Sequence, residues 1–169
     1  MRKVWVTAEP PRAAPEQVRV RTLSRADERV LGELMWLAFQ GSTDGGYSAP
    51  ADAHADAAGA LAGRWGPVVW HASLAAELDS AVVSAVIVVL DDAHGGLPLL
   101  AFAMTDPGCQ RRGMGRWLIE DSMCRLDAIG VKELHLAVTR GNPAFALYQR
   151  LGFEVVPGSQ DPAPQGGSS

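Results

Sequence analysis

The stretch CQRRGMGRWLIE, residues Cys109 to Glu120, sets two arginines and two glycines at the threshold of an apolar run with helical spacing. The first turn of a helix leaves its N–H groups without intrahelical partners and carries partial positive charge. Gly113 and Gly115 have no side chains to block an approaching group, and Arg111 and Arg112 add cationic forks that match phosphate oxygens. Together these make an anion site at the start of a helix, of a size and sign suited to a pyrophosphate.

Working outward, LPLLAFAMT (Leu97–Thr105) reads as a strand that stops at Asp106-Pro107-Gly108. The helix that follows spans Met114–Ile129, with Gly115, Leu118, Ile119, Ser122, Leu126 and Ile129 inward and Gly130 as its stop. KELHLAV (Lys132–Val138) alternates, with Leu134, Leu136 and Val138 on one face. Asn142 and Pro143 suit the cap and first position of a last helix that ends at Gly152, and FEVV (153–156) reads as a final strand.

Upstream, VRVRTL (Val18–Leu23) is a half-buried strand, and Ser24 with Asp27 forms a weak capping box for a helix carrying Val30, Leu31, Leu34, Met35 and Ala38. GSTDGG breaks it. A second helix covers Asp52–Leu61 and ends near Gly63. Two strands, VVWHASLAAEL (68–78) and AVVSAVIVVL (81–90), flank an Asp79-Ser80 hairpin turn. The order β-α-α-β-β-β-α-β-α-β implies an α/β fold, a mixed sheet covered by helices.

Composition sets outer bounds. The 169 residues are 47% hydrophobic and 20% charged, which suits one globular domain. We expect a flexible arm over 1–16, a domain over 17–157 and a disordered tail over 158–169. A net charge of −4 argues against a general nucleic-acid binder. The apolar runs are too short for a membrane span and no signal peptide follows the basic start, so a cytoplasmic protein is expected. Cys109 and Cys124 are too few for a disulfide scaffold, and His54, His71, His94 and His135 lack metal-ligand spacing, so no metal is expected.

Three nucleotide patterns compete for the glycine turn. The P-loop pattern is absent. The dinucleotide pattern G-x-G-x-x-G places Leu118 where its third glycine belongs, and Glu133 opens its strand where a ribose acid should close it. The third pattern fits. Gln110-Arg111-Arg112-Gly113-Met114-Gly115 resembles the Q/R-x-x-G-x-G/A signature of the GNAT superfamily of acyl-CoA-dependent N-acyltransferases. GNPAFALYQRLGFEVV (141–156) is similar to that superfamily's closing segment N-x-x-A-x-x-L-Y-x-x-x-G-F. The resemblance is carried by both motifs over Leu97–Val156 and by element order alone over 18–96.

The resemblance implies a mixed, mostly antiparallel sheet whose fourth and fifth strands, Leu97–Thr105 and Lys132–Val138, splay apart around the pantetheine arm of acetyl-CoA. The pyrophosphate would sit on Gln110, Arg111, Arg112, Gly113, Met114, Gly115 and Arg116. Main-chain groups of Ala103, Met104 and Thr105 would hold the arm and the acetyl carbonyl, and Asn142 would reach the arm. Tyr148 would face the thioester sulfur as general acid, a role a phenol of pKa about 10 can fill at neutral pH.

The implied reaction is N-acetylation of a primary amine by direct attack through a tetrahedral intermediate. The alternative is an acyl-CoA-binding sensor without turnover, for Leu97–Thr105 has no carboxylate to serve as base; Asp44, Glu77, Asp79, Asp106 and a water relay stay open for that task. Trp36, Phe39 and Tyr47, with Asp44 between, form an aromatic and acidic wall suited to a cationic acceptor, either a small molecule or a peptide. A homodimer is left open.

Overall fold

The computed structural model describes residues 1–156, apart from 6, 7, 10, 12–14, 16 and 43–45. Six strands form one sheet in the order β1-β6-β5-β4-β3-β2: β1 Arg2–Val4, β2 Val18–Thr22, β3 Leu74–Leu78, β4 Ala81–Asp91, β5 Leu97–Thr105 and β6 Glu133–Leu136. Every pairing is antiparallel except the parallel contact between β5 and β6. Among the described residues four α-helices flank it: α1 Glu28–Ala38, α2 Pro50–Ala62, α3 Met114–Asp127 and α4 Ala144–Arg150. The expected α/β class, with a mostly antiparallel mixed sheet covered by helices, is what the chain forms.

Two apolar layers hold the sheet. On one face Leu31, Leu34 and Met35 of α1 and Ala53, Ala57 and Ala60 of α2 pack over Ala85, Ile87, Val89 and Met104. On the other, Leu118, Ile119, Met123 and Leu126 of α3 join Tyr148 and Leu151 of α4 over Val86, Val88, Leu100, Leu134 and Leu136. Alternation along β4 feeds both layers at once, which is why it reads as a nearly unbroken apolar run. Buried polar groups are satisfied: Ser122 of α3 donates to the Ala72 carbonyl at 2.7 Å, and Ser73 donates to the Val69 carbonyl at 3.0 Å.

Several expectations need correction. The N-terminal segment is not wholly an arm, because Arg2–Val4 pair with β6 and Arg2 bridges Glu154. Phe153–Val156 make that single bridge instead of a strand, because the edge of β6 they would have paired with is taken by β1. The strand expected from Val68 starts at Leu74; Trp70–Ala72 form a 3₁₀ turn, which lets Ser73 accept the Val88 N–H at 3.0 Å. Ile129 lies beyond the end of α3 and is 58% exposed, not inward. The Asp79-Ser80 hairpin has φ of 49° and 66°, as a two-residue primed turn requires. Residues 157–169 lie outside the described residues. Among those described, no helix is long and apolar enough to cross a membrane.

The entry to α1 is fixed by charge. Asp27, 5% exposed, accepts from the Ser24 N–H at 2.7 Å and from two Arg21 nitrogens at 3.0 and 2.6 Å, and Arg21 also donates to Glu77 at 2.6 Å. Burial alone would raise the Asp27 pKa, but the bonds from Arg21 and Ser24 outweigh it and hold the carboxyl below its ordinary 3.8. Its contribution to stability is therefore complete above that value and is lost as pH falls through the folded-state pKa. Asp27→Asn should cost about 2 kcal/mol at pH 7. In thermal melts the gap between wild type and variant should shrink at pH 3; an equal gap at both pH values would contradict this role.

Candidate active site

The parallel contact between β5 and β6 is short. It consists of Leu99 opposite His135 and Leu100 opposite Leu136. Beyond Leu100, β5 runs on to Thr105 with β4 on one flank, and among the described residues no strand covers its other flank. A bulge starts the divergence. Ile87 lies opposite Phe102 and Val88 opposite Leu100, so Ala101 is an extra residue that deflects β5.

The hydrogen-bond pattern tells which main-chain groups face the opening. Asp106 donates to the Val83 carbonyl at 2.8 Å, which makes Ser84 and Thr105 a non-hydrogen-bonded pair. Thr105 therefore turns its N–H and C=O away from β4, and by alternation Ala103 does the same. Met104 does not: its main chain faces β4, where its carbonyl also accepts the Ser84 hydroxyl at 2.9 Å, and its side chain is buried under α1 and α2. The carbonyl of Thr105 takes the Gln110 side-chain N–H at 3.2 Å, tying the strand end to the turn.

That turn is sharply wound. Asp106 accepts the Gly108 N–H at 2.7 Å and Cys109 donates to the Asp106 carbonyl at 2.8 Å. Arg111 has φ of 61° and Gly113 of 82°, with Arg112 between them. Alternation of this kind points successive N–H groups to one concave side, a nest for an anion. Arginine in the left-handed region carries strain of about 1–3 kcal/mol, which the turn holds in place. The first N–H that α3 itself satisfies is that of Trp117, bonded to the Gly113 carbonyl at 2.9 Å, so Met114, Gly115 and Arg116 precede the ladder. A Cβ built on Gly115 would sit 3.4 Å from the Thr105 hydroxyl, so strand end and helix start share one mouth.

Asn142 caps α4, its Oδ1 accepting the Ala144 N–H at 2.8 Å. Tyr148 is 8% exposed, with its ring 5.9 Å from and edge-on to Phe153. It packs in the same apolar cluster as Ala103, Leu136 and Val138. Two of the carboxylates considered as bases are engaged: Glu77 is bound to Arg21, and Asp106 caps the turn. Asp79 lies in the hairpin turn, and Asp44 lies outside the described residues. Cys109 and Cys124 are free thiols, and Cys124 donates to the Glu9 carbonyl.

On the opposite face the bulge points Ala101 and Phe102 both toward α1 and α2. Phe102 then becomes the centre of a row of rings. Trp65 is 5.0 Å away and Phe39 6.5 Å, and Phe39 lies 6.1 Å from Tyr47. Phe39 and Tyr47 were expected in this wall, and Trp36 packs beside it. Phe102 and Trp65 were missed. Only the bulge brings Phe102 to that face, and a one-residue bulge leaves no mark in an alternating sequence.

This architecture can be compared with known proteins. A family model described as an acetyltransferase (GNAT) domain matches residues 70–155. The chain belongs to the GNAT acetyltransferase family. The [ribosomal protein bS18]-alanine N-acetyltransferase of Salmonella typhimurium is 45% identical over 67 residues, 39% of this chain and 42% of that protein. The chain thus aligns with about two fifths of that enzyme's length. Two solved structures share the fold. The PaiA N-acetyltransferase from Thermoplasma acidophilum in complex with coenzyme A has a TM-score of 0.66 at 18% identity, covering 82% of this chain and 91% of that one. The ribosomal-protein-S18-alanine N-acetyltransferase from Escherichia coli has 0.61 at 24%, covering 81% and 77%. Within this GNAT frame β5 and β6 are the splayed fourth and fifth strands, displaced by one in number because β1 precedes them.

The aromatic wall has a titratable marker. Burial, then the charge and hydrogen bond of Asp56, push the Tyr47 phenol above its ordinary 10. The chain has two tyrosines, so an alkaline absorbance titration resolves them by difference. The phenolate signal that Tyr47→Phe removes should rise well above pH 10; a midpoint at 10 would place Tyr47 in solvent, off the wall.

Proposed function

We propose that the protein transfers the acetyl group of acetyl-CoA to an α-amine, such as the N-terminus of a peptide or protein. The observation that carries this reading is the uncovered edge of β5, where Ala103 and Thr105 offer main-chain groups directly beside the N–H-rich turn at Arg111–Arg116. A pantetheine arm carries amides that can add to such an edge as a strand would, and its pyrophosphate would reach the nest. A main-chain N–H on β5 would take up charge on the carbonyl oxygen as the tetrahedral intermediate forms.

In the step itself the amine lone pair attacks the thioester carbon, a C–N bond forms and the C–S bond breaks. Tyr148 gives its proton to the departing thiolate, and the ammonium proton leaves to water. At pH 7 about a tenth of an α-amine of pKa about 8 is neutral, against well under a thousandth of a lysine amine of about 10.4. With Glu77 and Asp106 engaged, the acceptor class that needs least help from a base suits this site best. The relation to the bS18-alanine N-acetyltransferase of Salmonella typhimurium supports the same class. Those engaged carboxylates also favour the alternative of an acyl-CoA sensor, which would bind acetyl-CoA without releasing thiol in the presence of amines.

Gly115→Ala should be accommodated, whereas Gly115→Glu should fill the mouth and set a negative charge against the pyrophosphate. Calorimetry should show acetyl-CoA affinity near wild type for the first and at least about tenfold weaker for the second. Equal affinity in a folded Gly115→Glu protein would remove the turn from the cofactor site. Tyr148→Phe keeps the ring and its packing on Phe153, so the variant should fold. Turnover should fall about 10²–10⁴-fold, the worth of a general acid. Lost stability with unchanged turnover would make Tyr148 a core residue only.

A further inference from the structure

A second concavity of about 830 Å³ lies at the far end of the sheet from the glycine turn, between the end of α2, the end of β4 and the start of β5. Its walls include the indoles of Trp65 and Trp70, the carboxylates of Asp91 and Asp92 and the guanidinium groups of Arg25 and Arg64. The volume falls within the range of ligand sites, and the lining is mixed, with apolar side chains beside four charged ones. The groove is built into the backbone. Gly66, at φ of 117°, passes so close to the Leu90 carbonyl that a Cβ there would lie 1.8 Å from its oxygen, and Leu90 donates to the Pro67 carbonyl at 2.9 Å.

The groove and the aromatic wall share one residue, Trp65. Trp65 lines it and also stacks edge-on against Phe102, next to the bulge. Leu99, at the groove, lies three residues from Phe102 along β5, or about 10 Å at strand spacing. An extended peptide covers that span with about three residues.

The charges select among occupants. Arg64 is committed to Asp56 at 2.7 Å and to the Trp65 ring at 5.2 Å. Asp91 is committed to His94 and the Ala93 N–H at 2.7 and 3.0 Å. Asp92 is exposed and, like Arg25, has no side-chain partner among the described residues. A guanidinium in that position can donate to peptide carbonyls, but a carboxylate must receive a cation or an N–H. The indoles suit the aliphatic stem of a long basic side chain.

We infer that this groove binds the peptide acceptor downstream of its reacting amine, with a lysine or arginine at about the fourth residue facing Asp92 across the Trp65–Trp70 floor. The inference rests on the α-amine reading above. Its test compares coenzyme A release from a dipeptide, a hexapeptide with Lys at position four and the same hexapeptide with Gln there. The KM of the Lys hexapeptide should be about tenfold below that of the dipeptide. Asp92→Asn should raise it about threefold, the worth of one exposed ion pair, and leave the Gln hexapeptide and acetyl-CoA unaffected. Asp92→Lys should reverse the preference toward a hexapeptide with Glu at position four. Release from all peptides with no dependence on length or charge would overturn the groove and leave the transferase reading standing. No release from any peptide or amine would overturn the transferase reading, and the groove's role with it.

Discussion

Two paired positions, Leu99 with His135 and Leu100 with Leu136, are all that join β5 to β6. The bulge at Ala101 follows at once, and from there β4 is the one strand paired with β5 among the described residues. Inside a folded sheet an unpaired stretch of main chain is costly unless something bonds to it. The site grows from that mismatch. Ala103 and Thr105 turn their polar groups outward because the Ser84–Thr105 pairing with β4 dictates it, and the same pairing brings the Thr105 hydroxyl to the start of α3. The bulge that opens one flank also swings Phe102 onto the opposite face, so the strand's open edge and the aromatic wall share one cause.

Much of this was legible in the sequence wherever a local rule had one answer. The glycine turn, the Asn142 cap, the Asp79-Ser80 hairpin and the apolar faces of α1 and α3 each follow from a backbone or periodicity requirement that the residues themselves express. The motifs at 110–115 and 141–156 then fixed the family. What stayed hidden depends on partners distant in the chain. Arg2–Val4 have no strand signal of their own and become β1 only because β6 offers an edge, and their arrival there displaces the strand expected at 153–156. Met104 looks equivalent to Ala103 and Thr105 in a list of residues, yet strand alternation turns its main chain the other way. Phe102 and Trp65 were invisible as a pair because they are distant in the chain and a bulge decides which way Phe102 faces.

The two faces of the sheet carry different groups. The side of α3 carries the turn, Thr105 and Tyr148, where an acyl carrier would lie. The side of α1 and α2 carries the rings from Tyr47 through Phe39 and Phe102 to Trp65, where an acceptor would approach. The bulge sits between them, so chemistry would occur through the opening in the sheet. Two of the carboxylates that could have served as a base are spent on structure: Glu77 is bound to Arg21, and Asp106 caps the turn before α3. That allocation favours acceptors that arrive with an amine already able to attack.

Residue-resolved amide hydrogen exchange with and without acetyl-CoA tests the open edge most directly. Binding should slow exchange at Ala103 or Thr105 and at Arg112–Arg116, while Met104, already bonded to β4, should be protected equally in both states. Protection that spares both β5 and the turn, or that falls on Met104 while leaving Ala103 and Thr105 unchanged, would contradict the account.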